Sequence, residues 1–386
     1  MTVKTFTLSG IEPFIIPSQS STDTKELGSR LSEGITYIKE YNRIYWVDIF
    51  LGEIYSCNGN TQGGSVPDGL LKIKLTKSNY KSAGNTTIPY PGAEISYDER
   101  CGVVFPTTIN PNTVLFGGKH GVGVADLSAN TWHYKLLYRD HVKGAGKDWA
   151  NLRSNDGNVN PISGDIYIGV MKDFQSDDKF LEQGCVLKID KSFTNAKIVV
   201  DNIKIPNSIN WYKQDDSWKV LLTDSLGFRI LQFKVDSKTG DFVTASSTTD
   251  NKETYPVKFI DIIKSNNEKF ASPEPDGSVV YKNKYFITAV WSSNKIQIYQ
   301  IDTSANSSER LKFEYILPDT RLISCCCLGP KYNELLVTTA SEDIPNKMYK
   351  GGWIYKIDLL KDNPSLFCRE KDDTFAESSK ILFRLL

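Results

Sequence analysis

Long apolar runs are missing from this 386-residue chain. No stretch of 18 or more apolar residues occurs, which excludes a membrane-spanning helix. The opening residues, MTVKTFTLSGIEPFIIPSQS, hold no basic patch followed by an apolar core. A secretory leader is therefore not expected, and a cytoplasmic location is. Charge of one sign is scarce too: 46 Lys plus Arg balance 46 Asp plus Glu, and no basic run stands out. Nucleic acid and anionic membrane both need a concentrated positive field, so neither is expected as a partner. The seven cysteines (Cys57, Cys101, Cys185, Cys325, Cys326, Cys327 and Cys368) are scattered, odd in number and form no Cys-x-x-Cys. That excludes a disulfide framework and a zinc finger, and Cys325–Cys327 reads as part of a core strand. The three histidines (His120, His133 and His141) lack zinc spacing. There is no G-x-S-x-G nucleophile elbow, and the glycine cluster at 117–123 reads as a turn rather than a phosphate loop.

What is present is period-2 alternation in short segments. GITYIKEYNRIYWVDI (34–49), SGDIYIGVM (163–171), WKVLLTDS (218–225), NKYFITAVW (283–291) and GGWIYKID (351–358) are examples. Each is rich in Val, Ile, Tyr, Phe or Thr and bounded by Gly, Asn, Asp or Ser, so strand follows strand through tight turns. Only 21–32 suggests a short turn of helix. The closing phrases VLKID, QFKVD, IYQID and IYKID are four copies of one unit ending, which indicates a repeat.

Unit openings fall at Glu33, Glu94, Asn155, Asn207, Asp276 and Ser324. Neighbours lie roughly 50 to 70 residues apart, the range of propeller blades with their loops. The expected fold is all-β: a six-bladed β-propeller of four-stranded blades spanning 1–386, with the first 20 or so residues and the tail after about 360 peripheral. Segments 57–68 and 303–310 read as surface insertions. The competing architectures, a pair of β-sandwiches or a mixed all-β protein with no repeat, do not account for the repeated endings.

In a propeller the inner strands face a central channel, so their first residues converge at one mouth. Glu33, Asn155, Asn207 and Asp276 all offer hard oxygen donors, which favour calcium, magnesium or manganese over a structural zinc cage. Two carboxylates match the charge of one divalent ion. Taken singly, each such residue is more often a turn former or a backbone cap; the argument is their shared position.

The phrases L-S-E-G-I-T-Y, N-L-R-S-N-D-G-N-V-N-P, I-P-N-S-I-N-W, L-L-T-D-S-L, P-D-G-S-V, I-S-C-C-C-L-G and G-G-W-I-Y-K-I occur in this order from about 30 to 358. In them the chain resembles the gluconolactonase / senescence-marker-protein (regucalcin) family. That resemblance implies a six-bladed propeller with a central metal site and one divalent cation (calcium, magnesium, manganese, zinc or ferrous iron). It implies metal ligands at Glu33, Asn207 and Asp276, and substrate contacts at Arg153 and Asn155. Asp173 matches a further acidic position, one carbon shorter than the family's usual Glu. Asp224 is a rival ligand, with a structural role at a blade turn ranked first. The implied activity is opening of a sugar lactone to its aldonic acid, with Asp276 positioning or deprotonating water. A related hydrolase of esters or organophosphates, and a non-enzymatic metal- or ligand-binding propeller, are the alternatives.

Overall fold

The computed structural model describes residues 3–16, 29–63, 67–81, 88–91, 99–142, 146–243, 256–302, 306–331, 333–342, 351–362 and 383. The alternating segments form six antiparallel sheets arranged as the blades of a propeller. Blade I runs Ser32–Ile38, Arg43–Asp48, Glu53–Asn58 and Leu71–Lys74. Blade II runs Cys101–Pro106, Thr113–Gly118, Gly121–Asp126 and Thr131–Leu137. Blade III runs Leu152–Val159, Ile166–Lys172, Cys185–Ile189 and Ala196–Asp201. Blade IV runs Pro206–Gln214, Ser217–Asp224 and Arg229–Val235, and both Phe242–Val243 and Val257–Asp261 pair with its third strand. Blade V runs Glu274–Tyr281, Tyr285–Trp291, Lys295–Gln300 and Leu311–Ile316. Blade VI runs Ile323–Leu328, Glu334–Thr339 and Ile354–Asp358.

The N-terminal segment works at the rim. Lys4–Thr7 adds parallel to Leu311–Ile316 of blade V, and Ile15 bridges Ile354 on the outer strand of blade VI. Phe383 bridges Thr107 at the foot of blade II and is fully buried. Of the expected helical turn at 21–32, residues 21–28 lie outside the described residues, and Ser32 already belongs to a strand. The insertion at 303–310 ends in a single helical turn, Ser307–Arg310, capped by Asn306. Residues 64–66 of the other insertion lie outside the described residues. Among the described residues no helix is long and apolar enough to cross a membrane.

The core explains why a ring forms. Both faces of each sheet are apolar, so each must be covered, and the buried side chains fall into six clusters, one per pair of neighbouring blades. The closing cluster joins Ile35 and Trp46 of blade I to Cys325, Cys327 and Leu336 of blade VI, with Phe14 and Ile15 packed in. Sheet-on-sheet burial of this kind is the dominant favourable term in folding. The cysteine run is thus core strand, as its alternation implied.

All six inner strands share one irregularity. Each carries an extra residue near its head relative to the strand beside it: between Glu33 and Thr36, Cys101 and Val103, Ser154 and Gly157, Pro206 and Ile209, Pro275 and Ser278, and Ile323 and Cys325. Such bulges bend a strand and re-aim its side chains. The first is built on Gly34, whose φ of +58° suits glycine. The second needs Gly102 for space, since a Cβ there would sit 2.2 Å from the Asn155 carbonyl oxygen. The expected opening at Glu94 falls outside the described residues; the inner strand of that blade is Cys101–Pro106.

Candidate active site

The bulges bring Glu33, Asn155, Asn207 and Asp276 to corresponding heads of inner strands in blades I, III, IV and V. All four are at least nine-tenths buried. The Asn207 Nδ2 donates to Asp276 Oδ1, and reaches Ser225 Oγ at 3.4 Å. The Asn207 Oδ1 is buried and accepts no hydrogen bond. Glu33 Oε2 accepts from the Gly34 amide at 3.0 Å, which orients its carboxylate. Burial, with Glu33 and then Glu274 adding their charge and Asp156 contributing, pushes the Asp276 carboxyl well above the usual range; the Asn207 hydrogen bond opposes this. Burial likewise raises Glu274.

This donor set suits a hard divalent cation. An orphaned amide oxygen stands beside a carboxyl that burial and the Glu33 charge hold against ionisation, and a cation would satisfy the first and relieve the second. Among the described residues no three His, Cys, Asp or Glu side chains gather as a metal cluster. The set here is two carboxylates and one carboxamide. Asp224 faces elsewhere: it accepts from the Gly227 amide at 3.1 Å and Arg229 Nε at 2.8 Å, pinning its own hairpin.

On the blade II and III side the site turns cationic. Arg153 Nη1 donates to the Ser154 carbonyl at 2.7 Å and to Asn155 Oδ1 at 3.2 Å, while its Nε is buried without a hydrogen-bond partner. Burial pulls its pKa down to about 10, against the opposing pull of Asp173; Arg100 adds to the lowering, and Glu33 and Asp276 also act on it. Asn155 uses both ends of its carboxamide, since its Nδ2 donates to the Pro206 carbonyl at 3.1 Å. Asp173, 1% exposed, is ringed by Lys119 Nζ at 2.5 Å, Arg100 Nε at 3.3 Å and Arg153 Nε at 3.9 Å. Burial pushes its pKa up, but Lys119, Arg153 and Arg100 outweigh that and hold it below the ordinary value. Above the cluster, Phe50 from blade I and Phe174 from blade III stack with centroids 3.9 Å apart, and the Arg153 guanidinium lies 4.2 Å from the Phe174 ring.

Lys119, Arg100, Phe50 and Phe174 escaped the sequence reading. Lys119 sits in the Gly-Gly-Lys-His-Gly turn, which the sequence reading took for a turn alone. Arg100 directly precedes the inner strand of blade II, a position that the sequence reading did not single out. His120, next to Lys119, is held neutral: burial, then Lys119, draw its pKa down to about 4.

A family model described as "SMP-30/Gluconolactonase/LRE-like region" matches residues 31–341. A Saccharomyces cerevisiae protein described as uncharacterized is 34% identical over 352 residues, covering 87% of this chain and 90% of the relative. A solved calcium-binding protein, regucalcin, from Agrobacterium tumefaciens superposes with a TM-score of 0.63 at 17% identity, covering 100% of this chain and 99% of that one. A gluconolactonase from Xanthomonas campestris superposes with a TM-score of 0.53 at 12% identity, covering 90% and 95%. At such identities the two solved structures speak for the fold.

Proposed function

Since the chain belongs to the SMP-30/gluconolactonase/LRE-like family, we propose that it is a metal-dependent hydrolase that opens a sugar lactone to the corresponding aldonic acid. Glu33, Asn207 and Asp276 are the residues that would hold the cation. The observation that carries the reading is the unsatisfied Asn207 Oδ1 beside Asp276, whose carboxyl burial and Glu33 push upward. When bound, a divalent cation would supply Lewis-acid polarisation of the lactone carbonyl.

The chain's own residues do the rest. Asp276 accepts a proton from the attacking water, whose oxygen bonds to the carbonyl carbon. Negative charge develops on the former carbonyl oxygen, and the buried Arg153 guanidinium stabilises it in a site with little water to compete. The bond from that carbon to the ring oxygen then breaks. The leaving alkoxide takes the proton from Asp276, which returns the site to its starting state. The Phe50–Phe174 stack keeps bulk water from the cations beneath it, so their charge is felt at full strength. The name regucalcin, given to a calcium-binding relative in fold, favours calcium as the first cation to try.

A pH-indicator assay over a panel of sugar lactones, run with calcium, magnesium, manganese, zinc and ferrous iron, tests this. Proton release that needs both a lactone and a cation is the expected result. Turnover of a phosphotriester but of no lactone would replace it with the ester or organophosphate reading. Tight cation binding with a raised melting temperature and no turnover of either would leave a binding protein.

A further inference from the structure

The cysteine run of blade VI stands between the two carboxylates proposed to hold the cation. Blade VI lies between blade V, which carries Asp276, and blade I, which carries Glu33. Its inner strand, Ile323–Leu328, brings no carboxylate or carboxamide to its head. What it brings is contact on both sides. Ser324, the extra residue of its bulge, donates from Oγ to the Ser32 carbonyl at 2.5 Å, directly before Glu33. On the other side Cys326 Sγ reaches the Gly277 carbonyl at 3.7 Å and the Ile287 carbonyl at 3.5 Å, and Gly277 directly follows Asp276. Burial first, with the Cys327 thiol and the Glu33 and Asp276 charges adding to it, pushes the Cys326 thiol well up, so it stays an S–H donor. Cys325 fills the space between these ties. It packs with Ile35 and Trp46 of blade I, and a Cβ on Gly277 would stand 2.2 Å from its Sγ. Ser324, Cys325 and Cys326 are 0%, 4% and 1% exposed, so the strand head is a buried wedge. Packing this dense transmits displacement rather than absorbing it.

We propose that Ser324 and Cys326 are positioning residues: from blade VI they fix how far apart Glu33 and Asp276 stand, and so which cation the pair accepts. The inference rests on the reading of Glu33 and Asp276 as cation ligands. Each positioning residue acts through the backbone beside a ligand, at Ser32 and at Gly277, rather than on the cation itself. Calcium takes oxygens at about 2.3–2.6 Å in flexible geometry, whereas magnesium needs about 2.0–2.1 Å and a near-ideal shell. A wedge that keeps the two carboxylates from closing therefore favours the larger ion. Release of either tie lets the heads of blades V and I draw together and removes the penalty on the smaller one. Linkage makes the effect reciprocal, so a cation gripped across blade VI must also hold blade VI in its seat.

Titration calorimetry on the full chain, with calcium and with magnesium in separate runs, tests this. The unsubstituted protein should bind calcium at least tenfold more tightly than magnesium. In Ser324→Ala and in Cys326→Ala the ratio should narrow several-fold, whereas Cys326→Ser, which keeps a donor, should hold it closer to the original. A general loosening of the fold would weaken both cations alike and leave the ratio where it was. Unchanged ratios in both folded alanine variants, or an unsubstituted protein that binds cations without favouring calcium, overturn the inference and leave the cation site standing. An unsubstituted protein that binds neither cation overturns the cation-site reading and the inference with it. Where the alanine variants do not fold, hydrogen exchange on the unsubstituted chain decides. Slower exchange of the 323–328 amides with calcium than with magnesium supports the wedge. Equal or absent protection refutes it.

Discussion

Asn207 and Asp276 stand 69 positions apart in the chain, yet the Asn207 amide donates directly to the Asp276 carboxyl. The bond spans adjacent blades, and each partner sits in the bulge of its own inner strand. It leaves the Asn207 carbonyl oxygen buried and unmatched. On the proposed reading a cation is held at this pair, and the predictions start there.

Asp276→Ala should cost about 3–4 kcal/mol of transition-state stabilisation, a hundred- to a thousandfold in rate, with the fold intact. Glu33→Ala should do the same. Circular dichroism should match the unsubstituted chain, and the rise in melting temperature on adding a cation should disappear. A folded, cation-responsive Asp276→Ala protein with normal turnover would remove Asp276 from both roles.

Cation affinity should fall with pH. Burial and Glu33 raise the folded-state pKa of Asp276 above its ordinary value. Its contribution to stability is then complete below the ordinary carboxylate range and is lost as pH rises through the raised value. A cation must displace that proton, so below the raised pKa affinity should drop about tenfold per pH unit. Titration calorimetry in two buffers of different ionisation enthalpy should register proton release. Identical heats in both would contradict it.

Asp173→Asn should be severe for stability. It removes the one carboxylate that Lys119, Arg100 and Arg153 share, and breaking a buried ion pair in this way costs about 3–5 kcal/mol. Urea denaturation should show the loss. Added phosphate should recover part of it by taking the vacated place among the cations. A change under 1 kcal/mol would mean that the cluster is solvated.

Gly102→Ala should destabilise without touching the chemistry. The added Cβ would press on the backbone carbonyls of Ser154 and Asn155, at 2.6 and 2.2 Å. Backbone cannot step aside as a flexible side chain can, so a loss of at least 1–3 kcal/mol is expected. The midpoint of chemical denaturation measures it. An unchanged midpoint would show that blades II and III separate freely at their heads.

Much of the fold was legible because its signals are local. Alternation along GITYI or YFITAVW needs only neighbouring residues to declare a strand. The repeated closing phrases report one unit made several times over. The residues at the unit heads were legible for the same reason, since Glu33, Asn155, Asn207 and Asp276 recur at one place in the repeat. The second opening, expected at Glu94, lies outside the described residues, and the inner strand described in that blade starts at Cys101.

By itself, then, the order of residues determined strands, turns, repeat and the oxygen-rich heads of the inner strands, all of which depend on spacing along the chain. It did not determine charge balance, because electrostatic partners are chosen by distance through space. Asp173 meets Lys119, 54 positions away, and Arg100, 73 away, only after blades II and III close against each other. Tertiary structure alone decided that Asp173 is walled in by cations, that Asp224 turns back to its own hairpin, and that Asn207 keeps an oxygen free.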